Sequence, residues 1–326
     1  MSVIDLGTVD TKRLCTEGIF EDYLRYSSGQ ESPSDFHLWT CIGVIAICLG
    51  RNVYVDMGAW KIYPNLYIIL VGESAITHKS TALKMGVGPL QDALPQIPDL
   101  AQKFSPESLS HFLKTLTNDE KYGRAEAYVH ASELSVLLGQ SKLDDTLLKL
   151  LTDLWDSPEK HKYMTLSRGI EEARQVCLNI LGGSTPDWLK NSVPDEALEG
   201  GFFSRLILVE RPPSGRKNPF PSLTLAARNC LEKVKHDLIS IRKTLIGEFT
   251  LTPSARMAYG EWYSEYNHPD KARSFMRGYY GRKGDFVLKL AMISSANYGN
   301  SMQITEEDIL FAIKVLNENE TFTEGL

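Results

Sequence analysis

The chain has 326 residues, 43% of them hydrophobic and 23% charged, so it can bury a full core and is long enough for one large domain with a smaller one. Its net charge of −6 argues against a uniformly basic nucleic-acid-binding surface, although a basic pore built from several copies would not show in the total for one chain. Five cysteines (Cys15, Cys41, Cys48, Cys177, Cys230) lie scattered, with no CxxC and no paired His spacing; they indicate neither a zinc site nor a disulfide framework and fit a reducing cytosol. The longest apolar run, residues 38–49, is interrupted by Thr40 and Gly43 and falls short of the roughly 18 residues a membrane span needs. A cytoplasmic protein with no membrane association is therefore expected.

In chain order, residues 19–50 carry apolar and aromatic positions at helical spacing and predict two helices split by SSGQESPSD, the second capped by Ser34 or Asp35. Residues 51–63 alternate like a hairpin with its turn near Met57 and Gly58. Residues 66–71 (LYIILV) form an unbroken apolar run suited to a strand buried on both faces, Gly72 breaks it, and Lys79, Ser80 and Thr81 open a helix. Further on, residues 104–116 read as a helix with Ser105 as cap and Pro106 at its first position. Residues 127–132 are a short buried strand ending before Glu133, and residues 143–155 are helical. Residues 163–167 and 173–181 look like hairpin arms, the second running on as a buried strand to Gly182 and Gly183, and residues 206–209 form another apolar strand. Strands alternating with helices predict an α/β fold with a mostly parallel sheet. The proline-rich, basic stretch 212–221 marks a boundary, and the chain beyond it is expected to be helical, including 284–297 and 305–317 with Thr305 as a cap. The expected organisation is an N-terminal helical segment (1–50), a core (51–222) and a C-terminal helical lid (223–326).

The strand-loop-helix at 66–83 has the layout a phosphate loop requires. Free N–H groups of a first helical turn face an anion, Lys79 offsets the outer phosphates, and the Ser80 hydroxyl ligates magnesium. Gly72, Glu73, Ser74, His78, Lys79, Ser80 and Thr81 are thus the candidate ATP and Mg²⁺ contacts. The usual pattern is altered: Gly72 precedes Lys79 by one residue too many, His78 replaces the second glycine, and no glycine lies between them. Such a loop must either accept backbone strain or wrap the phosphate differently; the plain alternative is an ordinary strand-to-helix turn.

Glu133, at the end of the next buried strand, stands where an ATPase keeps the carboxylate that orients water against the γ-phosphate, with Ser132 in the place of the usual metal-holding aspartate. A surface glutamate opening a helix is the alternative. Ser184 and Thr185 stand where hydroxyls reach a γ-phosphate, or else in a turn with a helix cap. Arg205, before an apolar strand, either reaches a neighbouring subunit's nucleotide or makes a structural ion pair.

Together, residues 22–33 (DYLRYSSGQESP), YPNLYIILVG with KSTAL, ASEL, LLTDLWDSPE, GGSTPDWL and GGFFSR resemble the phage and mobile-element P-loop ATPases described as primase-associated or helicase-like. Order and spacing are also similar to the AAA+/RecA-like class, including minichromosome maintenance helicases, whose arginine finger sits in a similar context. The resemblance covers nearly the whole chain. It implies a P-loop NTPase core, a homo-oligomeric, ring-forming and in one form hexameric ATPase acting on single-stranded DNA, and a separate primase or replication partner. It implies Arg282 as a lid arginine near the nucleotide. It also implies a channel hairpin at 159–174 that presents Lys160, Lys162 and Arg168 toward its tip, with Tyr163 on one arm. The alternatives from other classes are a nucleotide-dependent assembly or regulatory module with little or no catalysis, and a loader.

Overall fold

The computed structural model describes residues 18–120, 123–139, 143–166, 168–193, 201–266, 274–299 and 301–323. Residues 1–17 of the expected N-terminal segment, Ser167 in the hairpin turn and Gly200 lie outside the described residues. The chain opens with helices α1 (Gly18–Ser27) and α2 (Ser34–Leu49), then strands β1 (Val53–Asp56), β2 (Lys61–Ile62) and β3 (Tyr67–Val71). Helix α3 (Lys79–Ala93), β4 (Asp99–Leu100), α4 (Pro106–Asn118), β5 (Glu126–Ala131), α5 (Leu134–Leu138) and α6 (Asp145–Trp155) come next. A ribbon of β6 (Lys160–Thr165) and β7 (Gly169–Arg174) precedes β8 (Cys177–Ser184), α7 (Pro186–Ser192) and β9 (Leu206–Glu210). The remainder comprises α8 (Leu225–Thr244), β10 (Gly247–Glu248), β11 (Thr250–Leu251), α9 (Pro253–Glu265), α10 (Ser274–Asn297), β12 (Gln303–Ile304) and α11 (Glu306–Thr323).

Five strands form one all-parallel sheet in the order β4-β5-β8-β3-β9. β3 sits inside it, with Tyr67 opposite both Ile180 of β8 and Leu206 of β9, and all five of its residues are buried. That is why its sequence is continuously apolar rather than alternating. One face is covered by α2, whose Gly43 lies so close that an added Cβ would stand 2.9 Å from Leu181 Cδ1 and 3.4 Å from Ile68 Cδ1. On the other face, the Tyr67 hydroxyl donates to the Leu151 carbonyl of α6 at 2.9 Å. The β9 edge is closed by α11, where Asn319 Nδ2 donates to the Leu208 carbonyl at 2.8 Å; a covered edge cannot template pairing with another chain. One apolar cluster runs from Ile19 through the sheet to Leu316, so all three expected segments contribute to a single core.

Local signals hold where the chemistry is local. Ser105 and Ser108 form a reciprocal capping box at α4, Thr305 and Asp308 do the same at α11, and the β1–β2 hairpin turns at Gly58 with φ 82°. Several expectations are corrected. Neither Ser34 nor Asp35 caps α2, because Pro33 holds the cap position without a side-chain bond and Asp35 is drawn into an ion pair with Arg211. Residues 173–181 are not one strand, since Gln175 takes φ 50° between β7 and β8. The strand does not stop at the glycines: Gly182 and Gly183 lie inside β8, paired with Ile69 and Leu70, and it runs on to Ser184. The C-terminal part is not helical throughout, for the two-residue strands β10, β11 and β12 pair within it and with β1. The helix expected over 284–297 starts earlier, for α10 begins at Ser274 and holds Arg282 in its interior.

Candidate phosphate-binding site

The site begins where β3 ends. The chain leaves β3 through α3 toward the β4 edge and returns through β8 to β9 on the other side of β3. The carboxyl end of β3 thus lies at the reversal of strand order where open parallel sheets bind ligands. Gly72 continues the sheet by donating to the Ser184 carbonyl at 3.2 Å, and residues 73–78 then loop into α3.

The loop meets the need for left-handed backbone without glycine. Ala75 has φ 62° and His78 φ 52°, conformations that cost a side-chain-bearing residue roughly 1–2 kcal/mol each. At the cap position of α3, the His78 carbonyl accepts from the N–H groups of Thr81 at 3.1 Å and Ala82 at 3.2 Å. The backbone N–H groups of residues 73–76 and 78–80 donate to no group among the described residues. A run of unpaired amides turning into a helix start is a concavity suited to an anion.

Lys79 Nζ donates to the Gly72 carbonyl at 2.7 Å across this loop, and the residue is only 5% exposed. Burial lowers its ammonium below the ordinary value, while the Glu133 carboxylate acts in the opposite direction. A cation kept partly desolvated, with no carboxylate bonded to it among the described residues, favours the approach of an anion. Gly183 makes room for it: an added Cβ would lie 2.9 Å from the Ser132 carbonyl oxygen and 3.6 Å from Lys79 Cε. The glycine pair therefore serves the close approach of β5 and of the lysine to β8.

Glu133 precedes α5, half-buried, and makes no side-chain cap bond. Since β8 lies between β3 and β5, two strand spacings or about 10 Å separate it from the loop strand, which leaves room for a phosphoryl group and a water. The Ser132 hydroxyl donates to Gln102 Oε1 at 2.7 Å. Ser184 is 1% exposed beside Val71, with its hydroxyl held by a long 3.4 Å contact to the Thr185 carbonyl. The Thr185 hydroxyl accepts from the Trp188 N–H at 3.3 Å, so it caps α7. Ser80 is exposed, Thr81 half-buried, and Glu73 and Ser74 lie exposed on the loop. Among the described residues no group of three or more His, Cys, Asp or Glu is placed to hold a metal ion.

Arg205 and Arg282 lie elsewhere. Arg205 immediately precedes β9 at the amino end of the sheet, five residues or about 17 Å of strand from the loop. It is 7% exposed and pairs with Asp156 at 3.2 Å, while its Nη1 donates to the Gly201 carbonyl at 2.9 Å. Arg282 stands in its field: burial lowers the Arg282 pKa first, and Arg205 lowers it further. α10 thus holds Arg282 beside Arg205, at the end of the sheet away from the loop of the same chain.

The β6–β7 ribbon is present, with its faces sorted by register. Lys160 opposes Arg174, Lys162 opposes Glu172 and Met164 opposes Ile170. The cations lie along the stem, Arg168 is exposed at the turn, and the tip is apolar: Met164 is 75%, Leu166 110% and Ile170 61% exposed. Tyr163 turns inward, its hydroxyl donating to Glu107 Oε1 of α4 at 3.2 Å. Glu171 is also inward, bonded to His111 Nδ1 at 2.8 Å, so it does not offset the outer cations. Glu172 does, pairing with Lys162 at 3.5 Å and Arg174 at 2.8 Å.

One cleft adjoins the loop, and a second shares a wall with it. The first, of 350 Å³, is lined by Gly72, Glu73, Thr77, Glu210 and Arg211. The other, of 540 Å³, lies among α1, α2 and α11 and shares Arg211 as a wall. Apolar Leu24, Leu38 and Val315 line it together with His37 and Arg216. Sequence reasoning passes over Arg211 and His37, for nothing local marks them. Comparison with known proteins finds no family model and no curated protein that matches this chain.

Proposed function

We propose that the chain is a P-loop ATPase of the AAA+/RecA-like kind that binds ATP with Mg²⁺ at residues 72–81 and works as a ring-forming motor on single-stranded DNA. The observation that carries the reading is the glycine-free loop held in left-handed backbone at Ala75 and His78, its amides unpaired around the buried Lys79. Triphosphate oxygens fit those amides and the Lys79 ammonium, and the nucleoside fits the clefts that meet at Arg211. The Ser80 hydroxyl makes no bond among the described residues and suits a magnesium ligand. Magnesium at such a site neutralises charge on the β- and γ-phosphates.

For hydrolysis, Glu133 orients the attacking water and Ser184 reports on the γ-phosphate from beside β3. Arg205 is too far along the sheet to serve its own loop, so its catalytic role is confined to a neighbour's nucleotide and requires release from Asp156. The outer face of the β6–β7 ribbon, with Lys160, Lys162 and Arg168, offers the DNA contact, and a partner such as a primase would be supplied separately.

The Arg205–Asp156 pair and the Ser132–Gln102 bond also favour a second reading, an ATP-dependent assembly or regulatory module in which turnover is weak. Steady-state ATP hydrolysis with and without single-stranded DNA separates the two. The motor reading predicts turnover that rises severalfold with DNA and is lost in Glu133→Gln; silence under both conditions, with ATP bound, leaves the assembly module.

A further inference from the structure

The His78 position calls for a residue that tolerates φ 52°, and histidine, unlike glycine, holds that conformation only against its own sterics. Its imidazole is not free. His78 Nε2 lies 3.1 Å from Glu31 Oε2 in the segment between α1 and α2. Glu31 is in turn fixed by the segment after β9: its Oε1 accepts from the Asn218 N–H at 2.6 Å, and its carbonyl accepts from the Ser214 hydroxyl. Arg216 fastens the same segment to the Ser28 and Ser32 carbonyls. The carboxylate facing His78 is therefore anchored on a braced loop, so the geometry is set before any ligand arrives.

Resting on the phosphate-loop reading, we infer that the Glu31–His78 contact takes the part of the missing glycine, with Glu31 acting as a positioning residue that holds the loop in its anion-binding conformation. Glu31 touches neither phosphate nor reacting atom. It acts by fixing the backbone of residue 78, from which the free amides of 78–80 and the first turn of α3 take their direction. The 540 Å³ cleft is lined by Ser28 and Ser34 on either side of Glu31, so the contact also ties the loop to the wall of that cleft.

The test is a double-mutant cycle read by the equilibrium affinity of the full chain for ATP with Mg²⁺ and for inorganic tripolyphosphate. Glu31→Ala weakens both ligands up to about fivefold, the upper end for one partly exposed polar contact. His78→Ala loses a similar amount, and the double variant Glu31→Ala/His78→Ala loses little more, because each change removes the same constraint. In a His78→Gly background, where the backbone accepts positive φ unaided, Glu31→Ala shifts affinity by less than about twofold. An equal loss on removing Glu31 whether residue 78 is His or Gly would overturn the inference and leave Glu31 a general brace for residues 214–218. So would no loss in the His78 parent. Lys79→Ala separates the two claims: if it leaves tripolyphosphate affinity at the parent value, the phosphate-loop reading itself falls.

Discussion

His37 shows how far a single side chain is set by its surroundings. It is 1% exposed, its Nε2 lies 2.7 Å from the Ser32 hydroxyl and its Nδ1 has no hydrogen-bond partner among the described residues. Burial, with a smaller contribution from Arg216, pushes its pKa down to about 4. The folded value lies below the unfolded one, so the unfolded chain binds the proton more tightly. Stability from a neutral His37 is complete above about pH 6.5 and is lost as pH falls through the folded value near 4. The limiting loss is on the order of 3 kcal/mol. Urea unfolding between pH 7 and pH 4 should show a steeper decline for the parent than for His37→Gln, and parallel declines would refute it. None of this is legible in the sequence, where His37 is one residue of a helix start. Lys79 is legible, because a lysine-serine pair after a buried strand is a local signal. The left-handed His78 is not, for only glycine announces positive φ, and its partner Glu31 lies far away in the chain.

At the scale of elements, apolar continuity and caps locate β3, β5, β9, α4 and α11, since both are written within a few residues. The features that the sequence conceals depend on contacts between elements. The glycines of β8 read as the end of a strand until the carbonyls of Ala131 and Ser132 are seen beside them, each within 3 Å of an added Cβ. The β6–β7 ribbon is foreseeable, but its inward Tyr163 and Glu171 are not, because sidedness is decided by the packing of α4. The ribbon's outer face yields a prediction. Replacing Lys160, Lys162 and Arg168 together by alanine should weaken single-stranded DNA binding. It should also flatten the dependence of log affinity on log salt by about two, given roughly 0.7 per phosphate contact on single strands. Affinity and slope both unchanged in a salt titration would remove the ribbon from the DNA path.

Across the whole molecule, one parallel sheet keeps two charged regions apart. The loop with Lys79 and Glu133 lies at the carboxyl end, and Arg205, Arg282 and Asp156 gather toward the amino end. The order β4-β5-β8-β3-β9 places Ser184 directly beside the loop strand and Glu133 one strand beyond, which no one-dimensional pattern of the chain states. With the two regions on opposite ends, the proposed composite catalytic site requires a second copy, whereas the proposed nucleotide binding requires only the loop. Binding is therefore the claim on which the rest depends. Calorimetric titration of ATP with Mg²⁺ into the parent chain and into Lys79→Ala tests it most directly. One saturable site per parent chain is expected, with an affinity weaker by roughly thirtyfold or more in the variant, as for loss of a partly buried charged hydrogen-bond donor. Equal affinity of two well-folded proteins, or no binding to the parent, would contradict it.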